Sequence, residues 1–397
     1  MAHLSDRINL ISESQTIAMA RKSRELKAQG IDIISLSLGE PDFATPEVIK
    51  QAAIKAINDN FSYYTHVSGY LELRQAIAHK FKRDNGLDYE ADDIVVSTGA
   101  KQSIANAVLC IINPGDEVLI PAPFWVSYLE ILKLAGGVPV IIDTDIDNDF
   151  KVTAEQLKKH ITPKTRMLMF STPCNPTGSV YSKQELRDIA DVVKQYDELY
   201  IMSDEIYEHI NFVGGHESMA QFSDIKDRVI TINGVSKGFA MTGWRGGIMA
   251  APRWIAQACD KMQGQFTSAT CSITQKAMEA AMLLPAESTH YMRDAFLKRR
   301  NLVLDLMKDI KGFKTNVPQG AFYVYPEVSA LFGKKYETYT INNATDLSIF
   351  LLDVAHVALV PGAAFGDDKY IRFSYATSED KLIEALKRMK EAISKLV

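Results

Sequence analysis

The sequence predicts an α/β fold, with a large domain built on a mainly parallel sheet covered by helices and a smaller α+β domain beside it. Three observations lead there. Short apolar runs of strand length and β-branched content alternate with helical patterns through the middle of the chain. Several of these runs are apolar throughout rather than alternating, the mark of strands buried on both faces. At 397 residues the chain also exceeds the size at which a single core stops growing.

Six runs supply the sheet: DIVVSTG (93–99), EVLIPA (117–122), VPVIID (138–143), RMLMFS (166–171), LYIMSD (199–204) and RVITIN (228–233). Ser182, with Glu185 three residues on, reads as a capping box that opens one of the intervening helices. Past about residue 285 the texture changes. A basic helix, RDAFLKRRNLVLDLMKDI, leads to short strands and then to a closing helix that starts near Ser378. Leu382, Ile383, Leu386, Met389, Ile393 and Leu396 recur along it at helical spacing and predict a core stripe. The expected division is an N-terminal arm with part of the small domain over 1–46, the large domain over 47–284 and the small domain over 285–397.

Composition excludes several function classes. Hydrophobic residues are 47% and charged residues 23%, ordinary for a globular protein. A formal net charge of −5 argues against a nucleic-acid partner, which calls for a basic face. No apolar run approaches the ~20 residues of a membrane span. The opening MAHLSDRINLISES lacks a basic region followed by an apolar one, so no secretory signal is expected. Cys110, Cys174, Cys259 and Cys271 have no regular spacing, which predicts neither disulfides nor a metal site. These readings together predict a cytoplasmic protein.

In open α/β sheets, ligands bind at the carboxyl ends of the strands. The first run leads into TGAKQS, where small residues open a helix whose N–H groups and dipole suit a phosphate. The fourth leads into STPCNPTGSV, with Asn175 between two prolines. The fifth leads into SDEIYEH, which supplies Asp204 and Tyr207. The sixth leads into GVSKGFAMTGWRGG, which places Lys237 and Arg245 among small and apolar residues. Each has a plain alternative as a cap, a turn or an incidental cation. An unpaired buried ammonium is costly, however, unless its pKa falls and its neutral amine is used.

These segments, in this order, resemble the fold-type I pyridoxal-phosphate-dependent aminotransferases of the aspartate aminotransferase class, on their prokaryotic branch. The resemblance spans nearly the whole chain: SLGEPDF (37–43), YYTHVSGYLELR (63–74), TGAKQ, PFWVSY (123–128), NPTGSVY, SDEIYEH, SKGFAMTGWR, PQGAFYVYP and IRFSYATS. It implies that Lys237 links covalently to pyridoxal 5'-phosphate and then shuttles the substrate proton. It implies that Asp204 pairs with the ring nitrogen, that Tyr207 and Asn175 hydrogen-bond the ring oxygen, and that Trp125 stacks on the ring. Arg245 and the amides of Gly99, Ala100 and Lys101 would hold the phosphate, assisted by Ser236. Arg372 would fork onto the substrate α-carboxylate, a planar match that lysine cannot make, and Gly39 would offer it a backbone N–H. Tyr64 matches the tyrosine lent to a neighbouring subunit's phosphate, which implies a homodimer.

The chain departs from the pattern in two respects. Gly238 and Gly246 stand where common relatives carry alanine and isoleucine, changes expected to loosen the turn and affect rate rather than reaction. Other members of the class meet the distal carboxylate of a dicarboxylic substrate with an arginine from the partner subunit. No motif-matched equivalent stands here, and the resemblance to the prokaryotic branch implies Lys101 for that contact. The implied activity is amino transfer between aspartate and 2-oxoglutarate, giving oxaloacetate and glutamate by a ping-pong cycle. An aminotransferase for prephenate or aromatic amino acids is the first alternative. A pyridoxal-phosphate-dependent lyase and a non-catalytic sensor are further ones. The partners implied are small amino and 2-oxo acids.

Overall fold

A computed structural model of the chain describes residues 4–13 and 15–397. Met1, Ala2, His3 and Ser14 of the stretch read for a signal lie outside the described residues. In chain order the strands are β1 (Ile34–Ser35), β2 (Ile94–Thr98), β3 (Glu117–Ala122), β4 (Val138–Asp143), β5 (Thr165–Ser171), β6 (Tyr200–Asp204) and β7 (Val229–Gly234). They continue as β8 (Gly246–Ala250), β9 (Tyr323–Val324), β10 (Lys335–Tyr336), β11 (Tyr339–Thr340), β12 (Val357–Ala358), β13 (Val360–Pro361) and β14 (Ile371–Ser374).

Among the described residues, seven strands form one sheet in the order β2-β8-β7-β6-β5-β3-β4. All six predicted runs are in it. The seventh strand, β8, runs antiparallel between β2 and β7. Sequence reading missed it because GGIMA lacks β-branched density and opens on two glycines, which are usually poor strand formers. Here they are needed, since a Cβ on Gly247 would collide with the backbone of Gly99 and Ala100 on the neighbouring turn. The interior strands carry side chains such as Val118, Leu168, Ile201 and Ile230 that are wholly buried, as a sheet sandwiched between helices demands.

The capping box forms as read. Ser182 Oγ accepts from Glu185 N, and Glu185 Oε2 accepts from Ser182 N at 2.7 Å, at the start of the helix Lys183–Val193. The basic helix spans His290–Met307. The closing helix spans Glu379–Ile393 after Ser378, and it buries Leu382, Leu386, Met389 and Ile393. Ile383 departs from the predicted stripe: it is 44% exposed, and the core face is completed by Ala385 and Ala392 instead.

A second core gathers the residues beyond 290 with part of the N-terminal segment. Ile34 and Leu36 pack with Phe296, Phe322, Leu351 and Phe373, because β1 pairs in parallel with β12. A three-stranded sheet, β13-β14-β9, stands at the heart of this core. Ile206 and Tyr207, just past β6, join it as well. Strand ends from both cores therefore face one another.

Candidate active site

A cavity of about 290 Å³ opens at that junction. The carboxyl end of β6 presents Asp204, and the segment after it presents Tyr207; both side chains are buried. Asp204 Oδ2 accepts from the Tyr128 hydroxyl at 2.8 Å and Oδ1 from Ile206 N at 3.3 Å. Burial raises its pKa to about 6 against the pull of these hydrogen bonds and of Lys237. Tyr128 was missed in the sequence, although it lies three residues after Trp125. The spacing puts them on one side of a helical turn, and their rings meet edge to face at 5.6 Å.

Lys237 lies beyond β7 and its Nζ donates to Gly39 O at 2.6 Å. Burial brings its pKa down to about 8, with the Arg372 and Arg245 charges adding to the fall and Glu40 and Asp204 opposing it. Burial, more than the neighbouring arginine, sets the amine's state. Gly238 and Gly246 do not face open space. A Cβ on Gly238 would come within 2.6 Å of His209 Cδ2, and one on Gly246 within 2.5 Å of Met278 Sδ. The room left by the missing side chains is thus filled by neighbours.

Arg372 enters from β14. It is 2% exposed, yet it has no carboxylate partner among the described residues. Nη1 donates to Asn175 Oδ1 at 3.0 Å and Nη2 to Ser37 O at 2.5 Å, while Nε is buried without a partner. Asn175 is itself buried in the turn after β5. The guanidinium lies 4.6 Å from the Tyr323 ring centroid and 5.0 Å from that of Phe365.

The helix Ala100–Ile111 starts at the cavity wall. Gly99 N is already bonded to Ser97 O, so only the N–H groups of Ala100 and Lys101 remain without an intrahelical partner. Gly99 contributes differently from the expectation. Its φ of 84° suits glycine, and a Cβ there would run into the Arg245 guanidinium, so its bareness lets Arg245 lie across the helix start. Arg245 Nη1 is also tethered to Thr242 O at 3.0 Å. Lys101 Nζ stands 5.1 Å from the Trp125 ring centroid, with its pKa lowered by burial and by Arg245. Ser236 is buried and lines the cavity.

Of the residues picked from sequence, Gly39, Ala100, Lys101, Trp125, Asn175, Asp204, Tyr207, Ser236, Lys237, Arg245 and Arg372 all line this one cavity. Tyr64 does not. It is 98% exposed and stands outside the lining. Sequence reading also missed Tyr323, Thr16 and Ile17, which are among the other residues of the wall. The cavity is lined by four cations (Lys101, Lys237, Arg245 and Arg372) and one carboxylate, Asp204. Arg372 is buried and Lys237 half-buried, whereas Lys101 and Arg245 are exposed, and a buried guanidinium without an ionic partner is costly unless an anionic ligand offsets it. Among the described residues no cluster of His, Cys, Asp and Glu is placed to hold a metal, and no helix is long and apolar enough to cross a membrane.

Comparison with known proteins places this geometry. The family model "Aminotransferase class I and II" matches residues 31–389. The chain is 46% identical over 401 residues to a probable aspartate/prephenate aminotransferase of Rickettsia bellii (strain RML369-C), covering 100% of both chains. It is 46% identical over 395 residues to a bifunctional aspartate aminotransferase and glutamate/aspartate-prephenate aminotransferase of Petunia hybrida, covering 98% of this chain and 82% of that one. Among solved structures, the aspartate aminotransferase of Rhizobium meliloti superposes with a TM-score of 0.97 at 40% identity, covering 100% of each chain. That of Thermus thermophilus with maleate superposes with a TM-score of 0.93 at 37% identity, covering 99% and 100%.

Proposed function

The chain belongs to the class I and II aminotransferases, and from that premise we propose that it exchanges amino groups between aspartate and 2-oxoglutarate in a ping-pong cycle with pyridoxal 5'-phosphate. Prephenate is the alternative 2-oxo acid, favoured by the naming of the Rickettsia and Petunia relatives. The observation that carries the reading is the charge of the cavity. Four cations face one carboxylate there, as a phosphorylated cofactor and a dicarboxylic substrate require.

The residues present fit that cofactor. The bare Gly99, Arg245 above it and the free N–H groups of Ala100 and Lys101 form an anion cradle at a helix start. Asp204, with a pKa of about 6, is ionised at neutral pH and would hold a proton on the ring nitrogen. When bound, pyridoxal phosphate supplies a carbonyl carbon for the amino group and a ring that accepts the electron pair left by the substrate Cα–H bond. Lys237 Nζ, whose pKa of about 8 leaves a usable neutral fraction, would take the proton from the substrate Cα and pass it to the carbon that was the cofactor's carbonyl carbon. Arg372 binds the α-carboxylate through the donors that now reach Ser37 O and stand unpartnered at Nε. Trp125 and Asn175 orient what is bound, and Lys101, a point charge on a flexible stem, meets the distal carboxylate.

We further propose a homodimer in which Tyr64 serves the neighbouring site, a cytoplasmic location, and the division at residues 46 and 284. The exposed Tyr63, Tyr64, Ile57 and Phe266 support the first of these, and the two separate cores support the last. Mixing inactive Tyr64→Phe and Lys237→Ala proteins should restore activity through hybrid dimers, and a fully active monomer in sedimentation would remove the dimer proposal.

An amino-donor and 2-oxo-acid screen, followed by cofactor absorbance in wild type and Lys101→Ala, tests the substrate reading. Lys101→Ala should lower kcat/KM for aspartate and glutamate at least tenfold more than for alanine or phenylalanine, since truncating one partner of a charge pair costs about 2–5 kcal/mol. Equal losses for all donors would put Lys101 on the phosphate. A wild type that ignores aspartate and accepts prephenate would reverse the order of the two substrate readings.

A further inference from the structure

Tyr323 carries no assigned part, yet it touches three residues that do. Its hydroxyl lies 2.8 Å from that of Tyr207. The Arg372 guanidinium rests over its ring, 4.6 Å from the centroid. Gly39 passes so near that a Cβ there would collide with Tyr323 Oη. The backbone holds this arrangement, because Tyr323 on β9 is the register partner of Ser374 on β14, two residues past Arg372.

Two phenols at 2.8 Å share one hydrogen bond, and only one of them donates it. The order of donation follows from the charges around the pair. Burial raises the pKa of both phenols, and Arg372 favours negative charge on both oxygens. Tyr207 is also reached by Asp204, which disfavours negative charge on it. The Lys237 amine stands 5.9 Å from the Tyr207 ring centroid. The guanidinium at 4.6 Å from the Tyr323 ring is nearer than that amine is to the Tyr207 ring, which makes Tyr323 the better donor.

We propose that Tyr323 is a positioning residue. Its O–H donates to Tyr207 Oη, which turns the proton of Tyr207 into the cavity, and this order depends on the uncompensated charge of Arg372. A carboxylate bound at Arg372 neutralises that charge, weakens Tyr323 as a donor and relaxes the order. Occupancy of the carboxylate site is thus read out at Tyr207. The inference rests on Tyr207 being the group that hydrogen-bonds the cofactor ring oxygen, as the family resemblance implies.

The test is a pH titration of the bound cofactor's visible absorbance. A proton donated to the ring oxygen stabilises its negative charge and lowers the pH at which the chromophore loses its proton. Tyr207→Phe should therefore raise the midpoint. The loss of that bond to an ionised group is worth about one pH unit, and Tyr323→Phe, acting through Tyr207, should raise the midpoint by roughly half as much. Tyr323→3-fluorotyrosine, a more acidic phenol of nearly the same shape, should lower it. A purely structural part for Tyr323 would not produce shifts of opposite sign. Succinate, which has carboxylates and no amine, should raise the wild-type midpoint more than that of Tyr323→Phe. An equal rise would overturn the link to Arg372. If Tyr207→Phe moves the midpoint and neither change at 323 does, this inference falls alone. If Tyr207→Phe leaves it unmoved, the underlying assignment of Tyr207 falls first. Should Tyr323→Phe fail to fold, an unmoved midpoint in the fluorinated protein is sufficient to overturn the proposal.

Discussion

The segment SDEIYEH holds three acids within five residues, and the structure treats them in opposite ways. Asp204 faces the cavity, accepts one phenol and one backbone N–H, and touches no cation among the described residues. Glu205 and Glu208 face away. Glu205 is wholly buried and saturated, by Ser203 and Ser218 hydroxyls at 2.8 and 2.9 Å, by Met219 N at 3.3 Å and by His216 Nε2 at 2.9 Å. Glu208 binds the buried Lys80 ammonium, Asn85 Nδ2 at 2.9 Å and His209 Nε2 at 3.2 Å. Burial lifts the Asp204 carboxyl to about 6, whereas Lys80 and His209 hold that of Glu208 well below its usual range. Buried charge paired by the chain itself serves the fold. Buried charge left short of partners is available to a ligand.

Three substitutions press on this contrast. The largest effect is expected at Asp204. Asp204→Ala should cut the half-reaction with aspartate by three orders of magnitude or more, ~4 kcal/mol of barrier, while leaving thermal stability intact, because no structural ion pair is lost. The comparison breaks if turnover persists or if the protein melts early.

Lys80→Ala should do the reverse. Removing one partner of a buried pair leaves the Glu208 charge with only Asn85 and His209 beside it, at a cost of roughly 3 kcal/mol. Denaturant unfolding should report that loss, with turnover per folded molecule little changed. Loss of turnover without loss of stability would show that the outward-facing acids also serve the cavity.

The smallest effect sharpens the contrast through pH. In the cofactor-free protein Lys237 has a pKa of about 8, below its ordinary value of 10.5. The unfolded chain therefore binds more protons between those values, and stability contributed by this group rises with pH across that window. Below about pH 8 the protonated buried amine costs its full amount, on the order of 2 kcal/mol given its partial exposure. Lys237→Met should accordingly raise the melting temperature at neutral pH, with the gain fading toward pH 10.5. A gain independent of pH would mean that packing, not charge, is responsible.

Much of the site was legible in the chain because aminotransferase chemistry demands particular residue types at strand ends. Lys237, Asp204, Asn175 and Arg372 each follow or sit in an apolar run, and all line one cavity. What escaped notice acts through a partner distant in sequence. Tyr128 matters because its hydroxyl reaches Asp204, 76 positions away, and Tyr323 because it reaches Tyr207, 116 positions away. Gly238 and Gly246 looked like gaps because the side chains that fill them, His209 and Met278, cannot be known from their neighbours in sequence. Ile383 fits a helical stripe equally well whether or not a second surface covers it, and none does.

By itself the sequence determined the α/β class, six strands to within a residue at either end, the capped helix after Ser182 and the amine, carboxylate and guanidinium that line the cavity. These follow from local periodicity, capping and residue type, which act over a few positions. Only the tertiary structure decided which of three neighbouring acids stays short of partners, that GGIMA serves as a strand, that Gly99 gives up a side chain so that Arg245 can cross the helix start, and that Tyr64 stands outside the cavity. The physical reason is desolvation. The state of a buried charge depends on every dipole and ion packed around it, and those arrive from strands that are neighbours in space alone.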